Sequence, residues 1–171
     1  MTRMLIGAAA LLLSGCGQEA PQKPAEPSAP ATLPAGAYDI VSEVTKLVST
    51  DKSTPATKLK LGEKQTIHAC VAADSTPDMA MFMEAGDDCT ATNSFARSGR
   101  LSYQFQCSRK GKGGLYPNVD GNYTATGFEA LVTVASAFPG DGDYSLTRHL
   151  TATRTGNCPP AGAATDGKGA S

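Results

Sequence analysis

The chain has 171 residues, with 15 lysines and arginines against 16 aspartates and glutamates and a net charge of −1. That balance leaves no basic face for nucleic acid, and the length is one domain's worth of chain. With 18 glycines, 11 prolines, five tyrosines, five phenylalanines and no tryptophan, the composition favours a turn-rich β protein over a helical bundle.

The N-terminus carries Arg3 and then an apolar run over residues 4–13. One positive charge before about ten apolar residues is the layout of a secretory signal. The run is too short to span a bilayer, which needs roughly 20 apolar residues. Leu13-Ser14-Gly15-Cys16 resembles a lipobox, in which small residues admit the peptidase and the cysteine thiolate takes the diacylglycerol. Residues 1–15 are therefore expected to be a lipoprotein signal and Cys16 the lipidated residue. The result is a membrane-anchored protein of the bacterial envelope, facing the periplasm. Two or more acyl chains on one residue make such anchoring effectively permanent. Gly17, where aspartate would signal inner-membrane retention, favours the outer membrane. Removing residues 1–15 of the 171 leaves 156 residues and, without Arg3, a net charge of −2.

Residues 16–35 hold five of the 11 prolines and a single large apolar residue, Leu33. Such a stretch reads as a semi-extended linker, reaching up to roughly 50 to 60 Å at about 3.1 Å per residue. A β-rich domain is expected over 36–158, followed by a disordered tail over 159–171. Within the domain, period-two alternation dominates. It is loose over Tyr38 to Val44, puts Ile67, Ala69 and Val71 on one face, and is clearest over Leu101 to Cys107. Residues 123–134 and 144–155 are long, Thr-rich strand candidates. Arg97-Ser98-Gly99-Arg100 reads as a hairpin turn. Ser75-Thr76-Pro77-Asp78 before Met79, Met81, Phe82 and Met83 predicts one short capped helix. The expected architecture is mainly β: a curved antiparallel sheet of about six strands with one short helix and two disulfides.

The disulfides follow from cysteine arithmetic. Of five cysteines, lipidation of Cys16 leaves Cys70, Cys89, Cys107 and Cys158, an even number in an oxidising compartment. No Cys-x-x-Cys pair occurs, so a zinc site is disfavoured. If residues 96 and 100 pair around the turn, Cys89 faces Cys107 across the hairpin, and Cys70 is left to bond Cys158. The alternative, Cys70 with Cys89 and Cys107 with Cys158, stays open.

These features are similar to the bacterial family called domain of unknown function 3617. The resemblance rests on Pro34-Ala35-Gly36-Ala37-Tyr38, the order of the four cysteines, Gly121-Asn122-Tyr123-Thr124, and the closing Arg154-Thr155-Gly156-Asn157-Cys158. Tyr38 stands where a tryptophan is common. The resemblance implies an exported sheet domain and no activity.

Candidate chemistry is sparse. Met79, Met81 and Met83 are possible thioether ligands for copper(I), but methionine is also a common gap-filler in cores. His68 and His149 fall on solvent-facing strand positions. Asp141-Gly142-Asp143 lacks the remaining ligands of a calcium loop. Lys110-Gly111-Lys112-Gly113-Gly114 fails the phosphate-loop spacing and reads as a mobile basic loop. Asp87 and Asp88, adjacent on a strand, point to opposite faces. The favoured expectation is a non-catalytic binding or interaction module without a cofactor. Its partner is either an apolar ligand in the sheet's concavity or an envelope protein at an edge strand. The alternatives are a hydrolase or metal-dependent enzyme assembled from dispersed residues such as His68, His149 and the Asp-rich turns, and a copper-handling protein using the three methionines.

Overall fold

The computed structural model describes residues 29–159. The expected signal, Cys16, most of the linker and the tail from 160 lie outside the described residues. Seven strands form one antiparallel sheet: β1 (Gly36–Ser49), β2 (Lys64–Val71), β3 (Asp87–Arg97), β4 (Arg100–Arg109), β5 (Gly113–Tyr123), β6 (Gly127–Ala137) and β7 (Tyr144–Gly156). Their order across the sheet is β2-β1-β7-β6-β5-β4-β3, curved into a half-barrel. β3 to β7 form a meander, β1 returns to pair with β7, and β2 and β3 are the two edges.

Alternation of side chains explains which face turns inward. On β1 the buried residues are Tyr38, Ile40, Ser42 and Val44, on β6 Phe128, Ala130, Val132 and Val134, and on β4 Leu101, Tyr103, Phe105 and Cys107. These three strands obey the two-residue period of a sheet with one wet face. The concavity they line is filled. Phe82 enters it from the β2–β3 connection and meets the rings of Tyr103, Phe105 and Phe128 at centroid distances of 5.5, 6.2 and 6.3 Å.

The sheet has seven strands where about six were expected, and the missed strand is β5. Gly113, Gly114, Pro117 and Gly121 punctuate it, so its sequence reads as loop. Each is tolerated for a local reason. Pro117 falls at a break in the β4–β5 ladder, between the pairs Gln104↔Asn118 and Cys107↔Leu115, where the missing N–H costs little. A Cβ at Gly121 would overlap the Glu129 carbonyl oxygen on β6, so only glycine permits that approach. Asn122-Tyr123 accordingly ends β5 rather than opening the next strand.

The expected helix is also corrected. Its residues form a single 3₁₀ turn, Met79–Met81, capped by Asp78, whose carboxylate accepts from the Ala80 amide at 2.9 Å. Pro77 lies outside the turn, bridged to Val71 of β2, so the chain is still strand-like where a helix would need its first turn.

The packed chain starts before Gly36. Leu33 is completely buried, the Tyr38 hydroxyl donates to the Pro34 carbonyl at 2.7 Å, and the Ser98 amide donates to the Ala31 carbonyl at 3.1 Å. The lone large apolar residue of the linker is thus a plug for one end of the half-barrel.

Candidate functional site

The two edge strands define a seam. Among the described residues β2 pairs only with β1 and β3 only with β4, apart from the single Val71↔Pro77 bridge. The chain between them, residues 72–86, crosses the mouth of the half-barrel as a strap. Beside the strap opens a groove of about 750 Å³, lined by Gln65 and Ile67 of β2, Asp88 and Cys89 of β3, and Met79 and Met83 of the strap. Volumes of that order suit ligands and side-chain anchors.

Beneath the strap lies a polar cluster. Arg109 grips Asp87 through two nitrogens at 2.7 and 2.8 Å, reaches Glu84 at 3.0 Å, and donates to the Ala56 carbonyl at 2.7 Å. Glu84 also accepts from Thr57 at 2.9 Å and from the Tyr144 hydroxyl at 3.2 Å. The hydrogen bond to Asp87 holds the Arg109 pKa above its ordinary value, and burial pushes the Tyr144 hydroxyl up. Next to it, Arg148 of β7 is 1% exposed. Its Nη2 donates to the Phe82 carbonyl, while Nε and Nη1 have no hydrogen-bond partner among the described residues. Burial lowers its pKa. The space it shares with Glu84 and Asp87 is about 10 Å³, the size of one water. Two guanidiniums and two carboxylates make this cluster neutral. Both carboxylates are committed to Arg109, so neither stands free as a general acid or base.

The expected site residues are distributed as follows. Cys89 and Cys107 form a disulfide across β3 and β4, S–S 2.03 Å, which removes the alternative connectivity. The register reaches it by an unexpected route. The turn holds two residues, Ser98 and Gly99, both at positive φ (52° and 82°), so Arg97 and not Ala96 pairs with Arg100. A bulge between Ala91 and Asn93 then shifts β3 by one residue and restores Cys89 opposite Cys107. Cys70 and Cys158 are side by side but remain thiols, so the expected second disulfide is an adjacent pair and not a bond.

Met81 is buried in the core, while Met79 and Met83 line the groove. Met83 Sδ rests 3.8 Å from Cys107 Sγ, a sulfur contact. Met81 is therefore set apart from Met79 and Met83, which share the groove. His68 and His149 lie on the outer face, opposite Asp39 and Glu43 of the intervening β1. That register separates them by roughly 15 Å. His68 Nδ1 is 2.7 Å from Asp39 Oδ1. Asp141-Gly142-Asp143 is a turn whose Gly142 and Asp143 amides donate to Asp51 at 2.8 and 2.9 Å. Lys110-Gly111-Lys112 is the β4–β5 turn, closed by a Lys112 amide to Arg109 carbonyl bond of 2.9 Å. Asp87 and Asp88 diverge as expected, Asp87 to Arg109 and Asp88 to the groove. Among the described residues no group of three or more His, Cys, Asp or Glu side chains is placed to hold a metal.

Sequence reasoning missed Arg148, Glu84 and Arg109. A signal for Arg148 was present: Tyr144, Leu146, Leu150 and Ala152 face inward, and the same alternation puts Arg148 among them. Arg109 ends β4 and continues the inward series Leu101, Tyr103, Phe105 and Cys107, so its direction was readable too; Glu84 lies in the β2–β3 connection, where no periodicity says which way a side chain points.

No curated protein and no solved structure matches the chain. A family model described as protein of unknown function (DUF3617) matches residues 28–158, from the segment that carries Leu33 to the cysteine beside Cys70. With that match covering most of its length, the chain belongs to the DUF3617 family.

Proposed function

We propose that this protein is a lipid-anchored component of the bacterial cell envelope, held through Cys16 and facing the periplasm. Its folded domain acts as a non-catalytic binding module at the seam. The observation that carries the binding role is the groove of about 750 Å³ between two edge strands. Unpaired strand edges accept an extended segment by main-chain hydrogen bonds, and adjoining side-chain pockets add selectivity. The filled inner face favours a protein partner at this edge over an apolar ligand in the concavity. The anchor is supported by the layout of residues 1–16, by the even number of cysteines left once Cys16 is spent, and by the prolines that follow. Gly17 favours the outer membrane.

Two measurements test the reading. Labelled palmitate is expected on the wild-type protein and not on Cys16→Ser, which should leave the membrane fraction; equal labelling rejects the anchor. A photoreactive residue at Ala80, exposed on the groove, is compared with one at Leu131 on the outer face. An adduct of one defined mass from position 80 alone is expected. Equal adducts from both positions, or none from either, reject the seam as the binding surface. A hydrolytic activity abolished by replacing one polar residue would sink the non-catalytic reading.

A further inference from the structure

The half-buried pair Cys70 and Cys158 occupies a mechanical junction. Cys70 is the last residue but one of the edge strand β2 and sits opposite Ala37 of β1, whose other neighbour is Gly156 of β7. Cys158 follows β7 and turns back across β1, so that its thiol donates to the Val71 carbonyl at 3.6 Å. The strap starts at the same place. The Asp78 amide donates to the Cys70 carbonyl at 2.9 Å, the Ala72 amide to the Thr76 carbonyl at 2.8 Å, and Pro77 bridges to Val71. The far end of the strap is fixed differently, by Glu84 on Arg109, Thr57 and Tyr144. One end of the strap is thus held by side-chain charge and hydrogen bonds, and the other by the backbone of Cys70, a member of the thiol pair, and of Val71 beside it.

The geometry points to a redox latch: Cys70 and Cys158 exchange between dithiol and disulfide, and the disulfide pins the near end of the strap over the seam groove. The step is a thiol–disulfide exchange with a small disulfide such as oxidised glutathione. Two S–H bonds of the protein and the S–S bond of the partner break. One S–S bond between Cys70 and Cys158 and two S–H bonds on the partner form, so the protein pair is oxidised by two electrons and the partner reduced. The Cys158 contact, followed by burial, raises Cys70 to about 11, so Cys70 is a thiol at neutral pH. The Cys89–Cys107 bond is the built-in contrast. In that bond Cys107 is 4% exposed on the inner face and only Cys89 is half-buried, whereas Cys70 and Cys158 are both half-buried, and accessible disulfides are the labile ones.

The proposal rests on the seam groove as the working surface, but its test needs no partner. The full-length protein is equilibrated in glutathione buffers from reducing to oxidising, and each cysteine is followed by peptide-resolved mass spectrometry after alkylation. Cys70 and Cys158 are expected to form a mutual disulfide and to be reduced in a buffer that leaves Cys89–Cys107 intact. Hydrogen exchange is read in parallel. Oxidation is expected to slow the amides of Ala72 and Asp78 by about tenfold or more, while the amides of β4 to β6 are unchanged. The variants Cys70→Ser and Cys158→Ser are expected to keep the fast exchange in every buffer. Three results overturn the latch: no mutual disulfide in any buffer, a disulfide as resistant to reduction as Cys89–Cys107, or a disulfide that leaves strap exchange unaltered. None of these touches the photo-crosslinking result, so the latch and the binding surface fail separately.

Discussion

Replacing Arg148 by methionine removes the most anomalous charge in the half-barrel without shortening the side chain. The guanidinium is 1% exposed, and its Nε and Nη1 lack partners among the described residues. Each buried donor left unpaired costs about 1 to 3 kcal/mol. Against that, Arg148→Met strips the Phe82 carbonyl of the donor it now has from Nη2, a cost of about the same size for one acceptor. It also removes one of the two positive charges near Glu84 and Asp87, both of which keep Arg109. Two donors relieved against one acceptor orphaned gives a net stabilisation of about 1 to 2 kcal/mol, within the range seen when buried charges yield to apolar residues. For a domain of this size that is roughly 3 to 6 °C in Tm. The assay is urea unfolding followed by far-UV circular dichroism, because the chain has no tryptophan. An unchanged m value would show that the denatured state is not the source of the effect. A loss of more than about 2 kcal/mol would refute the reasoning. It would mean that the arginine's hydrogen bonds and its balance with the two carboxylates outweigh its desolvation.

Three further outcomes follow from the same geometry. Replacing Cys89 and Cys107 together by alanine opens a loop with a sequence separation of 18 and is expected to cost about 3 kcal/mol, read as a fall in the urea midpoint. Glu84→Ala leaves Arg109 short of one carboxylate and Thr57 and Tyr144 without an acceptor. A cost of about 3 kcal/mol, with faster hydrogen exchange across residues 80–87, is expected. Asp51 is held below its ordinary value of 3.8 by hydrogen bonds from Ser53, Asp143 and Gly142. Because its folded pKa is depressed, the stabilisation is complete above about pH 4 and is lost as acid protonates the group. Thermal melts of wild type and Asp51→Asn should therefore differ near neutrality, with a gap that narrows below about pH 4 and closes only as the pH falls through the depressed folded pKa; a gap that does not narrow between about pH 4 and pH 2 would show that the carboxylate charge is not what holds the β6–β7 turn.

Most of the sheet was legible because one face is wet. Leu101 to Cys107 alternates without exception, and β4 has the burial pattern that this alternation implies. β5 was illegible for the opposite reason. Its glycines and Pro117 answer to neighbouring strands, to the approach of Glu129 and to a break in the ladder, and none of these is visible in local sequence. The Cys89–Cys107 bond was reached through two register differences of one residue that cancel, the turn pairing and the bulge at Thr92; turn length and bulge position are properties of the paired strands and not of either alone. The seam was hidden more deeply. Which strands become edges depends on β1 crossing to β7, a long-range pairing that no window of the sequence reports. Arg148 is the reverse case, readable from the alternation around it yet unexpected because an inward arginine contradicts the usual rule for buried residues.

The burial of Leu33 changes the mechanics of any tether at Cys16. Because the Pro30 and Ala31 carbonyls are engaged by Tyr123 and Ser98 and Leu33 is locked in the core, the chain from Pro30 onward adds nothing to the reach of such a tether. The reach is therefore shorter than the roughly 50 to 60 Å expected of the whole proline-rich stretch. The tether also leaves from one pole, beside the β3–β4 hairpin. A protein hung this way presents that hairpin toward its point of attachment and swings its Asp51 and Lys110 turns outward, so tension on the anchor reaches the fold through Leu33 before any strand.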